Sequence, residues 1–569
     1  MRFKNWVTCG FDRETAVAFC REGVNPLISV FLTSRGVTGI DEAREILGES
    51  PALLHDPLLM ADMDRAAARI NAAIDKNERI AVYGDYDVDG MTSCALLAQW
   101  LSSRGADFEI YIPGRLDEGY GLNCPALDHL RSRGVDLVIT VDCGITAIDE
   151  ANYARSLGME LIITDHHETR DELPFAEAVV DPKRHDCGYP HKHLAGVGVA
   201  FKLVCALEGD YSSAAIFQKY GDLVAVGTIA DVMPVSGENR ELIRRGLRVL
   251  NSDPRLGFRH LLREVIAERG KINSATVGFV LAPRLNAAGR MSKPDISVEL
   301  LLTDDNDEAQ RLTQVLNRLN SERRKLETEI YEQAVGMLPE SGPDGPIVLA
   351  RHGWYQGVTG IVAAKMAEHY LLPAIIISID DGGVGRGSCR STGTFGIYDA
   401  LRSCGELLDN YGGHDMAAGV TVPEMNIDEL RRRITQQYSA SVASSPVNGL
   451  RLDFEVEKAE LLSIRNVEQL EHLEPFGSDN PPANLCITGA RLAAVQSIGS
   501  GLHTRLKIEK SSTMLDCIFF SAPAEKLGVR EGMLVDVAFE PQINEFRGSK
   551  SVQLHLLDIR EAAASQCEV

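Results

Sequence analysis

Between Arg79 and His167 short apolar runs alternate with longer amphipathic stretches. "RIAVYG" is followed by "GMTSCALLAQWLSSRG", "DFEIYIP" by "PALDHLRSRG", and "DLVITVDCG" by "TAIDEANYARSLG" and "MELIITDHH". Strand, helix and strand at this rhythm predict βαβ units and a parallel sheet. Ligands in such sheets bind beyond the carboxyl ends of the strands. The polar residues fall at those ends: Asp85, Asp87 and Asp89 after the first run, Asp142 after "LVITV", and Asp165, His166 and His167 after "ELIIT". Asp231 follows the apolar segment "DLVAVGTIA" and is read as a fourth strand end joining the same group.

Further along, residues 305–338 carry apolar positions at helical spacing without internal Gly or Pro, and "PESGPDGP" then supplies breakers, so a long connecting helix ending at a boundary is expected. "PIVLA", "GIVAAKMAEHY" and "PAIIISI" open a second α/β unit. From about Leu450 the pattern changes to alternating strands, "TRLKIEK", "MLDCIFF", "LVDVAFE" and "SVQLHLLDI", which suits a small OB-like β-barrel. The expected division is an N-terminal helical segment (1–70), a catalytic α/β domain (71–300), the connecting helix (301–340), a second α/β domain (341–440) and the barrel (450–562), with a linker at 439–449.

Composition adds constraints. A chain of 569 residues with 44% hydrophobic and 24% charged residues is long enough for several folded cores. Its formal charge of -23 opposes any broad, passive attraction to nucleic acid or anionic membranes, so a phosphate-rich substrate needs local cations. The 12 cysteines include no C-x-x-C pair, which suits reduced thiols. No signal-peptide core opens the chain and its apolar runs are too short to span a bilayer, so a cytoplasmic protein without a membrane association is expected.

"VYGDYDVDG" sets three aspartates at alternate positions, and carboxylates that close raise one another's pKa unless a cation sits among them. Taken alone the segment could equally be a solvated acidic turn. With acids and imidazoles delivered to the same edge by other strands, the set predicts a two-metal site, and oxygen plus imidazole ligands favour Mg²⁺ or Mn²⁺ over a thiol-loving metal. "GVGVA" (196–200) lacks the third glycine and preceding strand of a dinucleotide fingerprint and is read as packing. "HDCGYPHKH" (185–193) fits no familiar zinc spacing and is read as a solvated loop. The charges at Arg311, Arg318, Arg323, Arg324 and Lys325, interspersed with Glu322, Glu327 and Glu329, are read as a salt-bridged exposed helix face.

"GDYDVDG", "VDCG", "TDHHE" and "GTIADVMP" resemble the four metal-binding motifs of the DHH phosphoesterase superfamily. "YIPGRLDEGYGLN", "LAGVGVAFKL", "PRLNAAGRM", "GRGSCRS", "YGGHDMAAG", "PFGSDNPP" and "NEFRGSKSVQLHLLDI" are similar, in this order over about residues 45–560, to the sequence blocks of its RecJ family of single-strand-specific DNA exonucleases. The resemblance implies that Asp87, Asp89, Asp142, His166 and Asp231 bind two divalent ions, with Asp142 bridging and Asp85 and His167 close by. Asp89, Asp142 and His167 would take the catalytic roles, His167 donating to a phosphate oxygen. Arg115, Ser388 and Arg390 would hold the 5′ end and Arg290 a backbone phosphate; arginine suits this because its planar fork grips phosphate oxygens in two places. Arg284, Arg290 and Arg390 could instead be structural ion-pair partners, and His414 either contacts DNA or caps a turn. Phe546 and Arg547 are candidates for stacking and contact on the barrel, Phe546 equally for its core. Three positions depart from the family pattern: Tyr355 stands where His is usual, Cys389 and Asp479 where Gly is common.

The implied function is 5′-to-3′ degradation of single-stranded DNA to mononucleotides in recombination and repair, mismatch repair included, by a monomer supplied with substrate by single-strand-binding protein and a helicase. The alternatives are a DHH phosphodiesterase acting on short oligonucleotides or cyclic dinucleotides, and a non-catalytic DNA-binding scaffold.

Overall fold

The computed structural model describes residues 3, 5–48, 54–115, 118–119, 121–264, 271–393, 395–442, 449–546 and 549–562, with the side chains of 442 and 546 set aside. The chain forms two compact units, one of residues 53–445 and 477–479, the other of residues 1–52, 446–476 and 480–569.

The larger unit begins with a five-stranded parallel sheet. Counted along the chain its strands are Ile80–Tyr83, Phe108–Tyr111, Leu137–Val141, Glu160–Thr164 and Ala178–Val180. They lie side by side in the order second, first, third, fourth, fifth, every pairing parallel. The first and third strands are buried along their whole length, as a sheet covered by helices on both faces requires. In this order the chain leaves the first strand toward one neighbour and returns on its other side, so the crevice for a ligand opens beyond the carboxyl ends of the first and third strands. The "DYDVD" loop follows one and Asp142 follows the other.

Asp231 arrives differently from the sequence expectation. "DLVAVGTIA" is the end of a helix, Ala214–Ala230, and Asp231 is its C-cap. Length decides the matter: the apolar run continues a buried helical pattern that starts at Ile216, too long for a strand.

The helix Asn306–Gly336, capped by Asp305 accepting from the Glu308 amide at 2.9 Å, leads to the second sheet. That sheet has the order Asn410–His414, Ala417–Pro423, Val384–Arg390, Ala374–Ile379 and Ile347–His352, with only the last pair parallel. Arg323 on the long helix is buried rather than solvated, because it falls in the stripe of Leu312, Leu316, Leu319 and Ile330. The segment 185–193 is a largely exposed loop, as expected, with His185, Asp186, Gly188, Pro190 and His193 open to solvent, but it anchors one buried ring. Tyr189 is fully buried and donates to Glu238 Oε2 at 2.6 Å.

In the smaller unit the strands Leu485–Ile498, His503–Lys510, Thr513–Phe519, Ser549–Glu561 and Leu534–Phe546 pair in that order, and the last closes on the first. The ring has one parallel contact, Thr513–Phe519 with Ser549–Glu561, as an OB barrel requires. The N-terminal segment, expected to be helical, contributes a strand first: Asn5–Thr8 pairs in parallel with Gly449–Leu452. Its helices then pack Phe19, Leu27, Phe31 and Leu32 into the core that holds Leu473, Leu485 and Val537. Arg547 lies outside the described residues, as does the Phe546 side chain. Among the described residues no helix is long and apolar enough to cross a membrane, and the described cysteines are free thiols.

One buried ion pair anchors the helices behind the crevice. Glu238 accepts from Lys202 Nζ at 2.5 Å, from Tyr189 and from the His55 amide, and both charged side chains are fully shielded from solvent. Removing one partner strands the other charge. Glu238→Ala should therefore cost about 3 to 5 kcal/mol, read as an earlier urea midpoint of the larger unit at pH 7, and an unchanged midpoint would refute this role.

Candidate metal centre and cation pocket

At the crevice the backbone buries Asp85, Asp89 and Asp142 and leaves Asp87 and Asp231 partly open to solvent. Asp87 caps the helix Val88–Ser103, accepting from the Gly90 amide at 3.0 Å. Asp89, in the first turn, is 1% exposed and accepts from the amides of Gly196 and Val197 at 2.6 and 2.8 Å. Those amides open the helix Gly196–Glu208, so a helix N-terminus with its partial positive charge holds the carboxylate. "GVGVA" is thus a packed helix start, as expected, with a polar function added. Gly196 is obligatory there, since a Cβ would stand 2.5 Å from Asp142 Cβ. Asp142 sits in the left-handed region at φ 62°, a conformation Asp tolerates better than most residues. Gly90 lets the helix lie on the loop, a Cβ there falling 2.5 Å from the Asp85 carbonyl oxygen.

These carboxylates surround one imidazole. His166 Nε2 lies 3.1 Å from Asp142 Oδ1, 3.5 Å from Asp231 Oδ2 and 3.8 Å from Asp89 Oδ2. Two groups with no member in common have ligand atoms mutually within 4.8 Å: Asp89, His166 and Asp231 form one, Asp85, Asp87 and Asp142 the other. A third group, Asp142, His166 and His167, overlaps both surroundings. Asp85 Oδ1 and Asp231 Oδ2 are buried without a hydrogen-bond partner. Burial, then Asp87, pushes Asp89 up to about 7. Burial, then a neighbouring aspartate, also drives Asp85, Asp142 and Asp231 well above the ordinary carboxylate range. His166 moves the other way, to about 3, through burial and then His167, so its nitrogen lone pair is available. Orphaned carboxylate oxygens around a neutral imidazole fit hard divalent cations, so the residues present suit Mg²⁺ or Mn²⁺.

Asp165, singled out in the sequence without a role, organises the edge of this cluster. It accepts from the amides of Ile145, His166 and His167 at 2.9, 2.7 and 3.2 Å, and from His167 Nδ1 at 2.7 Å. Burial opposes charge on His167, but the Asp165 bond and charge outweigh it and raise the imidazolium to about 9.

The predicted arginines gather beside the acids. Burial, then Arg115, Arg323 and Arg390, holds the Arg290 guanidinium below its usual range, while Asp87 acts in the opposite direction. Arg115 lies 5.0 Å from the Tyr86 ring, between Asp85 and Asp87. On the second sheet Ser388 Oγ is 3.1 Å from Thr359 Oγ1, and Arg390 donates to its neighbour's carbonyl at Cys389. Cys389 itself faces the core, so the departure from glycine at this position points away from Ser388 and Arg390. Asp479 adopts φ 60°, which accounts for the usual glycine there. His414 is exposed and stands in register with Ala417, itself paired with Arg390. Arg284 is structural, held by Asn317 and the Val280 carbonyl. Among the described residues no possible metal-holding group falls in 185–193.

Sequence reading did not assign Asp85 to a ligand group, gave Asp165 no role and put Arg323 in solvent. The helical period running through Leu319 and Ile330 carried the signal for Arg323. The pairing of Asp89 with amides about a hundred residues away left no local signal.

Known families match the domains of this chain in order. Residues 79–228 match the DHH family, N-terminal domain, residues 344–440 the DHHA1 domain and residues 452–558 the RecJ OB domain. The chain is 38% identical over 552 residues to the single-stranded-DNA-specific exonuclease RecJ of Bacillus subtilis (strain 168), covering 96% of this chain and 69% of that protein. It is 33% identical over 577 residues to the RecJ of Dickeya dadantii (strain 3937), covering 97% of this chain and 98% of that protein. The crystal structure of RecJ in complex with Mn²⁺ from Thermus thermophilus superposes with a TM-score of 0.82 at 31% identity, covering 98% of this chain and 80% of that chain. The chain belongs to the RecJ family of single-stranded-DNA-specific exonucleases.

Proposed function

We propose that this protein removes nucleotides from the 5′ end of single-stranded DNA by metal-assisted phosphodiester hydrolysis, serving recombination and repair. One observation carries the reading: two separate triads of ligand atoms meet where His166 and Asp142 approach to 3.1 Å, beside a cluster of arginines. Asp87, Asp89, Asp142, His166 and Asp231 are the proposed ligands, Asp85 completes the triad of Asp87 and Asp142, and Asp142 lies against His166 of the other triad. These residues would hold two Mg²⁺ or Mn²⁺ ions, which when bound would supply a water of lowered pKa and offset the charge on the attacking and leaving oxygens.

The protein's own residues do the rest. Asp165 holds His167 as an imidazolium that can donate to a phosphate oxygen. Arg290, next to the acids, takes a backbone phosphate. Arg115, Ser388 and Arg390 take the terminal phosphate, which sets the 5′ polarity. His414, two strands across from Arg390, would contact the strand that follows. Catalysis is assigned to residues 71–300, the terminal-phosphate contacts chiefly to 341–440, and further strand binding to the barrel. Single-strand-binding protein and a helicase in the cytoplasm would supply the substrate.

A DHH phosphodiesterase for short oligonucleotides would share the acids, yet such substrates need no barrel. A non-catalytic scaffold would not need to retain every acid of both triads.

Single strands labelled at either end decide among these. With Mn²⁺ a 5′ label should appear at once as mononucleotide while a 3′ label shortens gradually; digestion confined to short oligonucleotides would refute the reading. Asp142→Asn should lower the rate by at least about a thousandfold and weaken Mn²⁺ binding measured by calorimetry, whereas wild-type rates in that variant would place the chemistry elsewhere.

The raised carboxylates also set a pH dependence. Asp89 moves from 3.8 to about 7, so between those values the metal-free folded state binds more protons than the unfolded chain. Stability in chelator should then fall as pH rises through that window. Mn²⁺, replacing the protons, should raise the melting temperature more at pH 8 than at pH 6; equal increments at the two values would contradict the assignment.

A further inference from the structure

The carboxylate loop and the terminal-phosphate residues belong to different sheets, and one short path of contacts joins them. Gly289 lies directly on the loop: a Cβ there would stand 2.0 Å from the carbonyl oxygen of Tyr86, the residue between Asp85 and Asp87. The next residue, Arg290, is gripped from the second domain at both ends. Its carbonyl accepts from Tyr355 Oη at 3.0 Å, and its Nη1 donates to the Gly357 carbonyl at 3.2 Å. Gly357 fits against it so closely that a Cβ would be 2.4 Å from the Arg290 carbonyl oxygen.

Tyr355 is also the N-cap residue of the helix Gln356–Tyr370, whose first turn runs on to the other pocket. Thr359 Oγ1 reaches Ser388 Oγ at 3.1 Å, and a Cβ on Gly360 would lie 3.3 Å from Ser388 Oγ and 3.4 Å from Arg390 Nη2. The start of one helix therefore touches both Arg290 and the Ser388–Arg390 pair. Between the two domains at this point the Tyr355 hydroxyl provides a directional bond to a main-chain atom, which fixes distance as well as contact.

We propose that Tyr355 is a positioning residue that sets the spacing between the carboxylate cluster and the terminal-phosphate pocket, and through it the length of the released product. The inference rests on the exonuclease reading above. In that reading a strand held by its terminal phosphate is cut wherever the acids lie, so the separation of the two sites decides how many nucleotides leave. Tyr355→Phe keeps the ring and its packing and deletes the hydroxyl. Gly357→Ala disturbs the same junction by pushing on the Arg290 carbonyl.

The test uses the full chain in two arms. In EDTA, fluorescence anisotropy of a 5′-phosphorylated oligothymidylate should show binding to Tyr355→Phe weakened about fivefold to tenfold, with the melting temperature unchanged. In Mn²⁺, both variants should release dinucleotides beside mononucleotides where the wild type releases mononucleotides. Unchanged binding by Tyr355→Phe, or mononucleotides alone from both variants, overturns the proposal. A wild type that releases no nucleotides would instead sink the exonuclease reading, and the binding arm would still judge Tyr355.

Discussion

Repulsion among buried carboxylates is the constraint around which the larger unit is built. Two unit charges about 4 Å apart interact by about 4 kcal/mol at an effective dielectric constant of 20. A hydrogen bond to a charged group returns only about 1.5 to 3 kcal/mol. Asp85, Asp89, Asp142 and Asp231 are far more crowded than hydrogen bonds alone can offset, and their displaced titration expresses that imbalance. The surrounding structure holds them nonetheless. A helix N-terminus clamps Asp89, a second helix starts at Asp87, and Gly196 admits Asp142 where any side chain would collide. The geometry is fixed before any ion arrives, so a cation that enters finds its ligands already paid for by the fold.

The cationic side is built by a looser rule. Arg290 uses one N–H on the Gly357 carbonyl and Arg390 one on the Cys389 carbonyl, leaving others of the five donors on each guanidinium for an anion. Burial is the first cause that holds both guanidiniums below their usual range, with Arg115 adding to it in each case, within a chain whose formal charge is -23. An acidic exterior with one cationic pocket discourages loose association elsewhere and concentrates phosphate where the acids are.

Much of this was legible in the chain because it is local. Asp85, Asp87 and Asp89 crowd a single loop, and Asp142, Asp165, His166 and His167 each follow a run whose β-period is plain. The parallel sheet and the barrel strands follow from the same alternation. What escaped depended on partners distant in sequence. An apolar run such as "DLVAVGTIA" carries no period to separate a buried helix from a buried strand. Asp165 acquires meaning only through the His167 ring and the Ile145 amide. Arg323 looked solvated because its neighbours Arg324 and Lys325 are charged, yet burial on a helix follows the residues three and four away. The loop 185–193 is largely exposed, as its polar composition suggests, yet that composition hides the buried Tyr189, which Glu238 satisfies from the start of a helix.

The two halves of the site are therefore complementary in what each lacks. The acids need cations to ionise together, and the arginines need an anion to be held together. A phosphodiester arriving with divalent ions answers both demands at once, whereas either alone leaves one cluster uncompensated. Binding of metal and binding of strand should then favour one another through charge alone, over and above any direct bond between them. That coupling can act only if the clusters stay at a fixed separation, which makes the Gly289–Arg290 junction, seated on Tyr86 and gripped by Tyr355 and Gly357, as consequential for the chemistry as the ligands themselves.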